Sequence, residues 1–426
     1  MDENIDRNDA RRKIWQPYPR PDWVAKINQE GSYMDIKGVV PLDENSLLET
    51  AKANTGLHDF GQDDWHEPFQ VLVHALDNES QLNLMGRLLT RSDLLMFLQA
   101  RLQIEETYKQ HPEIEDEEIV KPLLLMGQPR TGTSALQNLL AEDPDNRSLR
   151  TWEVCFPCPP PEAATYDTDP RIGIADRLVT MQNRVTPEVE SIHEMNGWIP
   201  TETLFLDCLS FINPAWFSLF GEIPSYVEHT AKMDFKTCYR YQKRVLKLLQ
   251  WKKPGETWIL KTPDYVRHLP DVLQVYPDAC LVWIHRDPIK AFTSGVNTLG
   301  AFLWMRTDHP FHTGSLDFIQ DPENIGEYLS KPIQWIDDGT IRKDRLCNIH
   351  YHDFIQNPVS VARHVYRFFG LERNEDMFAR MQAYVVEHPR TERPAHKYNG
   401  GIKEKTPVER NAFKKYQTYF NVPNEM

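Results

Sequence analysis

A short segment that runs from Pro122 to Glu142 constrains the fold of this chain more than any other. Four apolar residues, Leu123–Met126, come first, and such an unbroken run is typical of a parallel strand that is covered on both faces. A turn that contains Gly127 and Gly132 follows, and leucines then recur at helical spacing. The segment therefore predicts a strand, a glycine-rich turn and a helix, an arrangement that holds phosphate groups at the start of the helix.

The composition of the turn indicates which kind of phosphate ligand it suits. Gly127 and Gly132 let the backbone approach a ligand closely, and Arg130 adds a fixed positive charge. Hydroxyl donors are supplied by Thr131, Thr133 and Ser134. The frame G-x-x-x-x-G-T-S matches an NTPase phosphate-binding loop, except that Thr133 stands where that loop has lysine. We therefore expect a phosphate-bearing donor other than ATP or GTP; the alternative is an ordinary strand–turn–helix with a capping Thr or Ser.

A second segment, 258–299, predicts two further strands whose carboxyl ends carry cations. The strand Trp258–Leu260 leads into Lys261, and the apolar strand Cys280–Ile284 leads through a histidine into Arg286. Apolar residues at helical spacing follow each strand. Because open parallel sheets bind ligands at the carboxyl ends of their strands, both cations are expected at a ligand site.

Together these motifs resemble those of the sulfotransferases that use 3′-phosphoadenylyl sulfate (PAPS). The matching motifs are G-x-P-R-T-G-T from Gly127, L-K-T-P from Leu260 and H-R-D-P-x-x-x-x-x-S from His285. They are most similar to a bacterial branch of that family, and the similarity covers most of the chain from about residue 50 to residue 420. The resemblance implies an α/β fold of the P-loop-like, three-layer kind, with a central, mostly parallel sheet flanked by helices.

The resemblance also implies roles for the matching residues, which would bind PAPS as a co-substrate. The 5′-phosphosulfate would be surrounded by Arg130, Thr131, Gly132, Thr133 and Ser134. Arg286 and Ser294 would bind the 3′-phosphate, since two N–H groups of an arginine guanidinium match the geometry of two phosphate oxygens. The alternative for Arg286 is a surface ion pair with Asp287 or Asp264.

Sulfuryl transfer moves an SO3 group in line from the donor phosphate to an acceptor hydroxyl or amine, and negative charge builds on the oxygen that leaves. A fixed cation at that oxygen lowers the barrier. We expect Lys261 to be this cation, with Arg130 assisting, and the alternative is that Lys261 is a surface lysine. No metal is expected, because the chemistry requires none and the single C-x-x-C at Cys155 lacks a second pair or spaced histidines.

The general base is the part of the site that the sequence determines least. In cytosolic animal relatives a histidine follows two residues after the strand lysine, but here that position is Pro263, which cannot accept a proton. The stretch SIHEMNGWIPTETLFLD resembles a bacterial stretch that carries a histidine and a later acidic residue near the acceptor pocket. It favours His193 first and Glu202 second. Asp264 and His268 are further candidates, and His193 could instead be an incidental histidine.

An aromatic region favours a hydrophobic acceptor, such as a lipid, sterol or phenol. Its large apolar side chains are Trp198, Phe205, Phe211, Trp216, Phe217 and Phe220, and after the HRDP motif Phe302, Trp304 and Met305. The alternative for each of them is a place in the ordinary hydrophobic core.

Composition and organisation limit the remaining classes of function. The net charge of −14 argues against a nucleic-acid partner. No apolar run is long enough to span a membrane, so we expect a cytoplasmic protein without stable membrane insertion; a homodimer is left open. We divide the chain into an extension over 1–115, largely helical after residue 45, and an α/β domain over 116–426 with a helical, acceptor-site insertion around 170–250.

Two other functions stay open on the sequence alone. A P-loop nucleotide kinase or NTPase is disfavoured by Thr133 and by the lack of a strand that ends in a magnesium-binding acid after the loop. A non-catalytic relative would bind PAPS or its product PAP (3′-phosphoadenosine 5′-phosphate) but lack a base. Pro263 is the only feature that suggests it.

Overall fold

The computed structural model describes residues 17–192, 194–314, 316, 321–389 and 406–425. The strands found in these residues are β1 (Leu123–Met126), β2 (Asn146–Ser148), β3 (Thr257–Lys261), β4 (Cys280–His285) and β5 (Leu346–His350). They form one parallel sheet in the order β2-β3-β1-β4-β5. The predicted α/β fold with a central parallel sheet is confirmed, as are the strands that were predicted to end at Lys261 and before Arg286.

The unbroken apolar sequence of β1 explains its position in the middle of the sheet. Successive side chains of a strand point to opposite faces. Leu123 and Leu125 accordingly belong to one hydrophobic core, and Leu124 and Met126 belong to another. All four are fully buried, so β1 requires cover on both faces.

Helices supply this cover. Those before β1 are α1 (Asp22–Gly31), α2 (Ile36–Val39), α3 (Glu44–Thr55), α4 (His66–Asn78) and α5 (Leu84–Gln110). Those between β1 and β3 are α6 (Thr133–Leu140), α7 (Thr151–Cys155), α8 (Pro170–Val185), α9 (Glu188–Ile192), α10 (Leu204–Asp207), α11 (Pro214–Phe217), α12 (Pro224–Thr230) and α13 (Lys236–Gln250). Those after β3 are α14 (Leu269–Val275), α15 (Pro288–Arg306), α16 (Pro322–Asp337), α17 (Tyr351–Gln356), α18 (Pro358–Phe369), α19 (Glu375–Glu387) and α20 (Thr406–Tyr419). Within the described residues, no helix combines the length and the apolar character that crossing a bilayer would require.

The helices before β1 pack into the same core as one face of the sheet. Leu47, Trp65 and Phe69 of this region belong to one cluster with Leu124 and Met126 of β1. The helical stretch predicted around 170–250 contains α8–α13 and joins β2 to β3. The division of the chain near residue 115 stays a prediction.

Candidate active site

A cavity of about 1800 Å³ lies at the carboxyl ends of the central strands. It is lined by the loop after β1, by Lys261 at the end of β3, by Arg286 directly after β4 and by α15. The parallel register brings these segments together, because Leu125 of β1 pairs with Lys261 on one side and with Val282 of β4 on the other. The segments that were predicted separately from the sequence therefore meet at one site.

The loop after β1 has a shape that its two glycines allow. Gly127 has φ 149°, and a Cβ at this position would lie 2.7 Å from the Ile284 carbonyl oxygen. Gly132 has φ 92° and forms the N-cap of α6, and no side-chain hydrogen bond caps the helix there. The first helical bond is donated by the Leu136 amide to the Gly132 carbonyl, so the amides before Leu136 have no partner within the helix. These amides and the helix dipole make the start of α6 suitable for an anion.

The hydroxyl side chains of the loop lie in different positions. Thr131 is buried and donates to the Gln128 carbonyl oxygen at 2.7 Å, so its hydroxyl holds the loop together from within. Thr133 and Ser134 line the cavity, and Ser134 is exposed. The side-chain oxygen of Gln128 is also buried and has no hydrogen-bond partner among the described residues.

Arg130 connects the loop to two neighbouring segments. Its backbone has a positive φ of 69°. Its Nη1 donates to the Ile192 carbonyl oxygen at 2.9 Å, and its own carbonyl oxygen accepts a 2.7 Å hydrogen bond from Nη1 of Arg286. The guanidinium thus contacts the end of α9. His193, which follows Ile192 in the sequence and was predicted first as the base, lies outside the described residues.

Lys261 is buried, and it pairs with a carboxylate. Its side chain is 3% exposed and its ammonium group contacts Glu202, which is 16% exposed. The neighbouring Thr203 donates to the Lys261 carbonyl oxygen through both its amide at 2.9 Å and its hydroxyl at 3.2 Å. The surface-lysine alternative does not apply, and the Lys261–Glu202 pair is fixed to the end of β3 at the cavity wall.

A buried polar network lies beneath this pair. The Tyr265 hydroxyl is 2.9 Å from the Thr203 hydroxyl, and Gln242 links the network to Asp207 through a 2.7 Å hydrogen bond to Oδ1. The Tyr276 hydroxyl donates to the side-chain oxygen Oε1 of Gln242 at 2.9 Å. Burial raises the pKa of Asp207 to about 8. Asp207 is therefore mostly protonated at neutral pH, so the network that supports Thr203 carries no full negative charge at Asp207.

Arg286 already binds a carboxylate. Its Nε and Nη2 donate to Glu425 at 3.0–3.2 Å, and its guanidinium lies 4.0 Å from the centre of the Tyr351 ring. This partner differs from the two that the ion-pair alternative named, and one of those two, Asp287, is held by Arg410. The fork of Arg286, a residue that lines the cavity, thus already holds an anion.

Two further residues of the HRDP motif complete this region. His285 is buried between Tyr416 and Asn348, at 2.8 Å and 2.9 Å from its two ring nitrogens. Burial lowers the pKa of His285 to about 3, so the ring is neutral and structural. Ser294 lies in α15, and the position of its side chain is outside what the structure describes.

The other candidates for the base line the same cavity. His268 stacks on Phe235 with ring centres 3.8 Å apart, and it lies 3.9 Å from Asp264 and 4.0 Å from Asp271. Burial lowers the pKa of His268 below its usual value despite these carboxylates. The described cavity wall therefore offers a neutral imidazole as well as Glu202.

The predicted aromatic region divides between the cavity and the core. Its cavity-lining members are Phe205, Trp216 and Phe302. Trp216 lies between the other two, with ring centres 4.4 Å and 6.0 Å away. The members buried in the core are Phe211, Phe217, Phe220 and Met305, whereas cation–π contacts to arginine occupy Trp198 and Trp304. One wall of the cavity is therefore apolar and aromatic.

Sequence reasoning missed three residues of this site. Tyr351 directly follows β5. Since ligands bind at the carboxyl ends of parallel strands, its position after a strand is the signal that could have predicted it. Thr203 and Glu425 gave no local signal, because their importance comes from contacts with Lys261 and Arg286 that are distant in the chain.

Comparisons with known proteins agree with this fold. Residues 122–375 match the sequence model of the Sulfotransferase family. Omega-hydroxy-beta-dihydromenaquinone-9 sulfotransferase Stf3, from Mycobacterium bovis and from Mycobacterium tuberculosis, is 23% identical over 276 residues, which cover 63% of this chain and 67% of Stf3.

Two solved structures are similar over nearly their whole length. Sulfotransferase STF9 from Mycobacterium avium has a TM-score of 0.78 and 27% identity, over 90% of this chain and 98% of STF9. Sulfotransferase STF1 from Mycobacterium tuberculosis H37Rv has a TM-score of 0.70 and 25% identity, over 87% of this chain and 98% of STF1. The similarity therefore includes most of the helices before β1 as well as the sheet.

Proposed function

Because this chain belongs to the Sulfotransferase family, we propose that it transfers the sulfuryl group of PAPS to a hydroxyl group of a hydrophobic small molecule. The observation that carries the proposal is the convergence of three positively polarised groups on one cavity. They are the start of α6, the ammonium group of Lys261 and the guanidinium of Arg286. A donor with phosphate groups at both ends of a nucleoside would use all three.

The residues present fit such a donor. Gly127 and Gly132 keep the loop free of Cβ atoms where the backbone is closest to its neighbours. The Nε–Nη2 edge of Arg286 already accommodates a carboxylate, and the same edge suits a phosphate. We propose that Arg130, Gly132, Thr133 and Ser134 surround the 5′-phosphosulfate, with Thr131 supporting the loop. Arg286 and Ser294 would hold the 3′-phosphate.

The chemical step follows from the position of Lys261. We propose that Lys261 donates a hydrogen bond to the bridging oxygen as negative charge builds on it, with Arg130 assisting. Because Lys261 is buried, solvent screens its charge only weakly, and its effect on that oxygen is correspondingly large. Glu202 and Thr203 fix the lysine and the strand end that carries it, so little reorganisation is needed during transfer.

The proton of the acceptor hydroxyl must also be removed. We propose His193 as the base and Glu202 as the second candidate. The choice of His193 is supported by Ile192, which precedes it, lines the cavity and accepts a hydrogen bond from Arg130 of the loop. Glu202 lies beside Lys261, so it could take the proton as the charge of the lysine is drawn towards the leaving oxygen.

The acceptor is proposed from the apolar wall of the cavity. The wall offers the aromatic surface of Phe205, Trp216 and Phe302 next to the polar groups. Such a wall suits a molecule with an apolar body and a terminal hydroxyl. The relative Stf3 is, by its name, a sulfotransferase of omega-hydroxy-beta-dihydromenaquinone-9. We therefore propose a lipid alcohol as the acceptor class.

Two measurements test the proposal. Calorimetry should detect binding of PAP and much weaker binding of ATP, and PAP should raise the melting temperature. Radiolabelled PAPS should transfer its label to at least one member of a panel of long-chain alcohols, sterols and phenols. Stronger binding of ATP than of PAP would favour the kinase alternative. PAP binding without transfer to any member of a broad panel would favour a non-catalytic relative.

A further inference from the structure

The residues that follow α20 fold back over the end of the sheet. Asn421 turns the chain with a positive φ of 53°, and Val422 is buried in the main core. The Val422 amide donates to the Gln417 carbonyl oxygen at 2.9 Å, and the side-chain amide of Gln417 donates to Asn424 at 3.0 Å. This segment, 421–425, is thus attached to α20 and carries Glu425 to Arg286, which lines the cavity.

Glu425 is held in place from two sides. Its carboxylate accepts hydrogen bonds from Nε and Nη2 of Arg286, and its amide donates to Asp287 at 2.7 Å. Asp287 is itself fully buried and accepts two hydrogen bonds from Arg410 of α20, at 2.6 Å and 2.7 Å. The position of Glu425 is therefore set by the same motif that supplies Arg286.

The bound edge of Arg286 is the edge that a phosphate would need. Nη1 is already occupied by the Arg130 carbonyl oxygen, so Nε and Nη2 are the pair that can form a fork with an incoming anion. Glu425 occupies both. A carboxylate and a phosphate cannot share these donors, because the two negative charges would repel each other beside the same guanidinium.

From this competition we infer that Glu425 is the residue that the 3′-phosphate of the nucleotide must displace, and that it sets how strongly the protein prefers nucleotides with a 3′-phosphate. The inference rests on the proposed function, because it assumes that Arg286 binds that phosphate. Glu425 covers Arg286 when the nucleotide is absent. Since PAP keeps its 3′-phosphate after transfer, the return of Glu425 competes for Arg286 and favours product release.

The charge-removing substitution Glu425→Gln tests this inference. Its matched control is Glu375→Gln, because Glu375 also pairs with an arginine, Arg363, but that arginine, unlike Arg286, does not line the cavity. Calorimetry should compare PAP with 5′-AMP, which lacks the 3′-phosphate. We expect E425Q to bind PAP about fivefold more tightly than the unsubstituted protein, with 5′-AMP affinity changed less than twofold. E375Q should leave both affinities unchanged.

A second background assigns the effect to Arg286. In a protein that carries Arg286→Gln, the further change E425Q should give no gain in PAP affinity, because the contested guanidinium is gone. Thermal unfolding of each variant checks that the fold is retained. Unchanged or weaker PAP binding by folded E425Q, or an equal gain for 5′-AMP, would overturn the inference alone. Failure of the unsubstituted protein to bind PAP would overturn the proposed function together with it.

Discussion

Lys261 at the end of β3 and Glu202 before α10 form an ion pair in which the lysine side chain is only 3% exposed. A buried lysine is costly unless a partner compensates its charge. Here one carboxylate does so, and Thr203 holds the strand end through two hydrogen bonds to the Lys261 carbonyl oxygen. Both side chains line the cavity, so these contacts hold the charge of the lysine in place there.

Replacement of Lys261 by methionine should lower turnover strongly and change PAP affinity little. The side chain keeps much of its volume but loses the charge, so we expect a fall in kcat of about 100-fold or more. Radiolabelled transfer measures kcat, and calorimetry measures PAP affinity. The control is Lys232→Met, since Lys232 is exposed and paired with Glu228 on the surface. A K261M protein that is folded and retains full turnover would show that Lys261 is not the catalytic cation.

The buried Asp207 predicts how stability depends on pH. Burial raises its pKa to about 8, well above the value of an unfolded chain. The folded protein therefore holds a proton that the unfolded chain releases between about pH 4 and pH 8, so stability falls as pH rises through this window and levels off above it. The slope from one such group approaches about 1.4 kcal/mol per pH unit.

Asp207→Asn should flatten this slope, because asparagine can still accept the hydrogen bond from Gln242 but does not titrate. Chemical denaturation at several pH values between 5 and 8 measures the free energy of unfolding. Asp344→Asn provides the control, since Asp344 is exposed. An unchanged slope in D207N would mean that Asp207 is already ionised in the folded protein at neutral pH.

The sequence predicted the centre of the fold because its signals there are local. The apolar run of β1, the glycines of the loop and the cations after β3 and β4 each lie within a few residues of the element that they define. The Lys261–Glu202 contact and the Arg286–Glu425 contact link residues 59 and 139 positions apart, and no local pattern encodes such distances. The aromatic region was ambiguous for the same reason, since only tertiary packing separates Trp216 at the cavity from Phe217 in the core.

Gly127→Ala should destabilise the loop and remove nucleotide binding. A Cβ there would approach the Ile284 carbonyl oxygen to 2.7 Å and the Thr131 hydroxyl to 2.9 Å, and φ is 149°. We expect a loss of about 1–3 kcal/mol in the free energy of unfolding and no measurable binding of PAP. Gly339→Ala is the control, because Gly339 also has a positive φ but nothing lies within 4 Å of the added Cβ. Equal losses of stability and normal PAP binding in both variants would show that the close approach at Gly127 is unimportant.

Trp216→Leu should weaken use of the acceptor while leaving the donor site intact. Trp216 contacts Phe205 and Phe302 on the apolar wall, so the smaller leucine side chain removes aromatic surface that an apolar acceptor would cover. We expect KM for a long-chain alcohol to rise about tenfold, the effect of losing somewhat more than 1 kcal/mol of apolar contact. PAP affinity should stay within twofold. Trp198→Leu is the matched control, because Trp198 stacks on Arg150 instead of lining the cavity. If W198L raised KM as much as W216L did, general destabilisation would explain the result. The prediction that the acceptor binds at the apolar wall would then be wrong for Trp216.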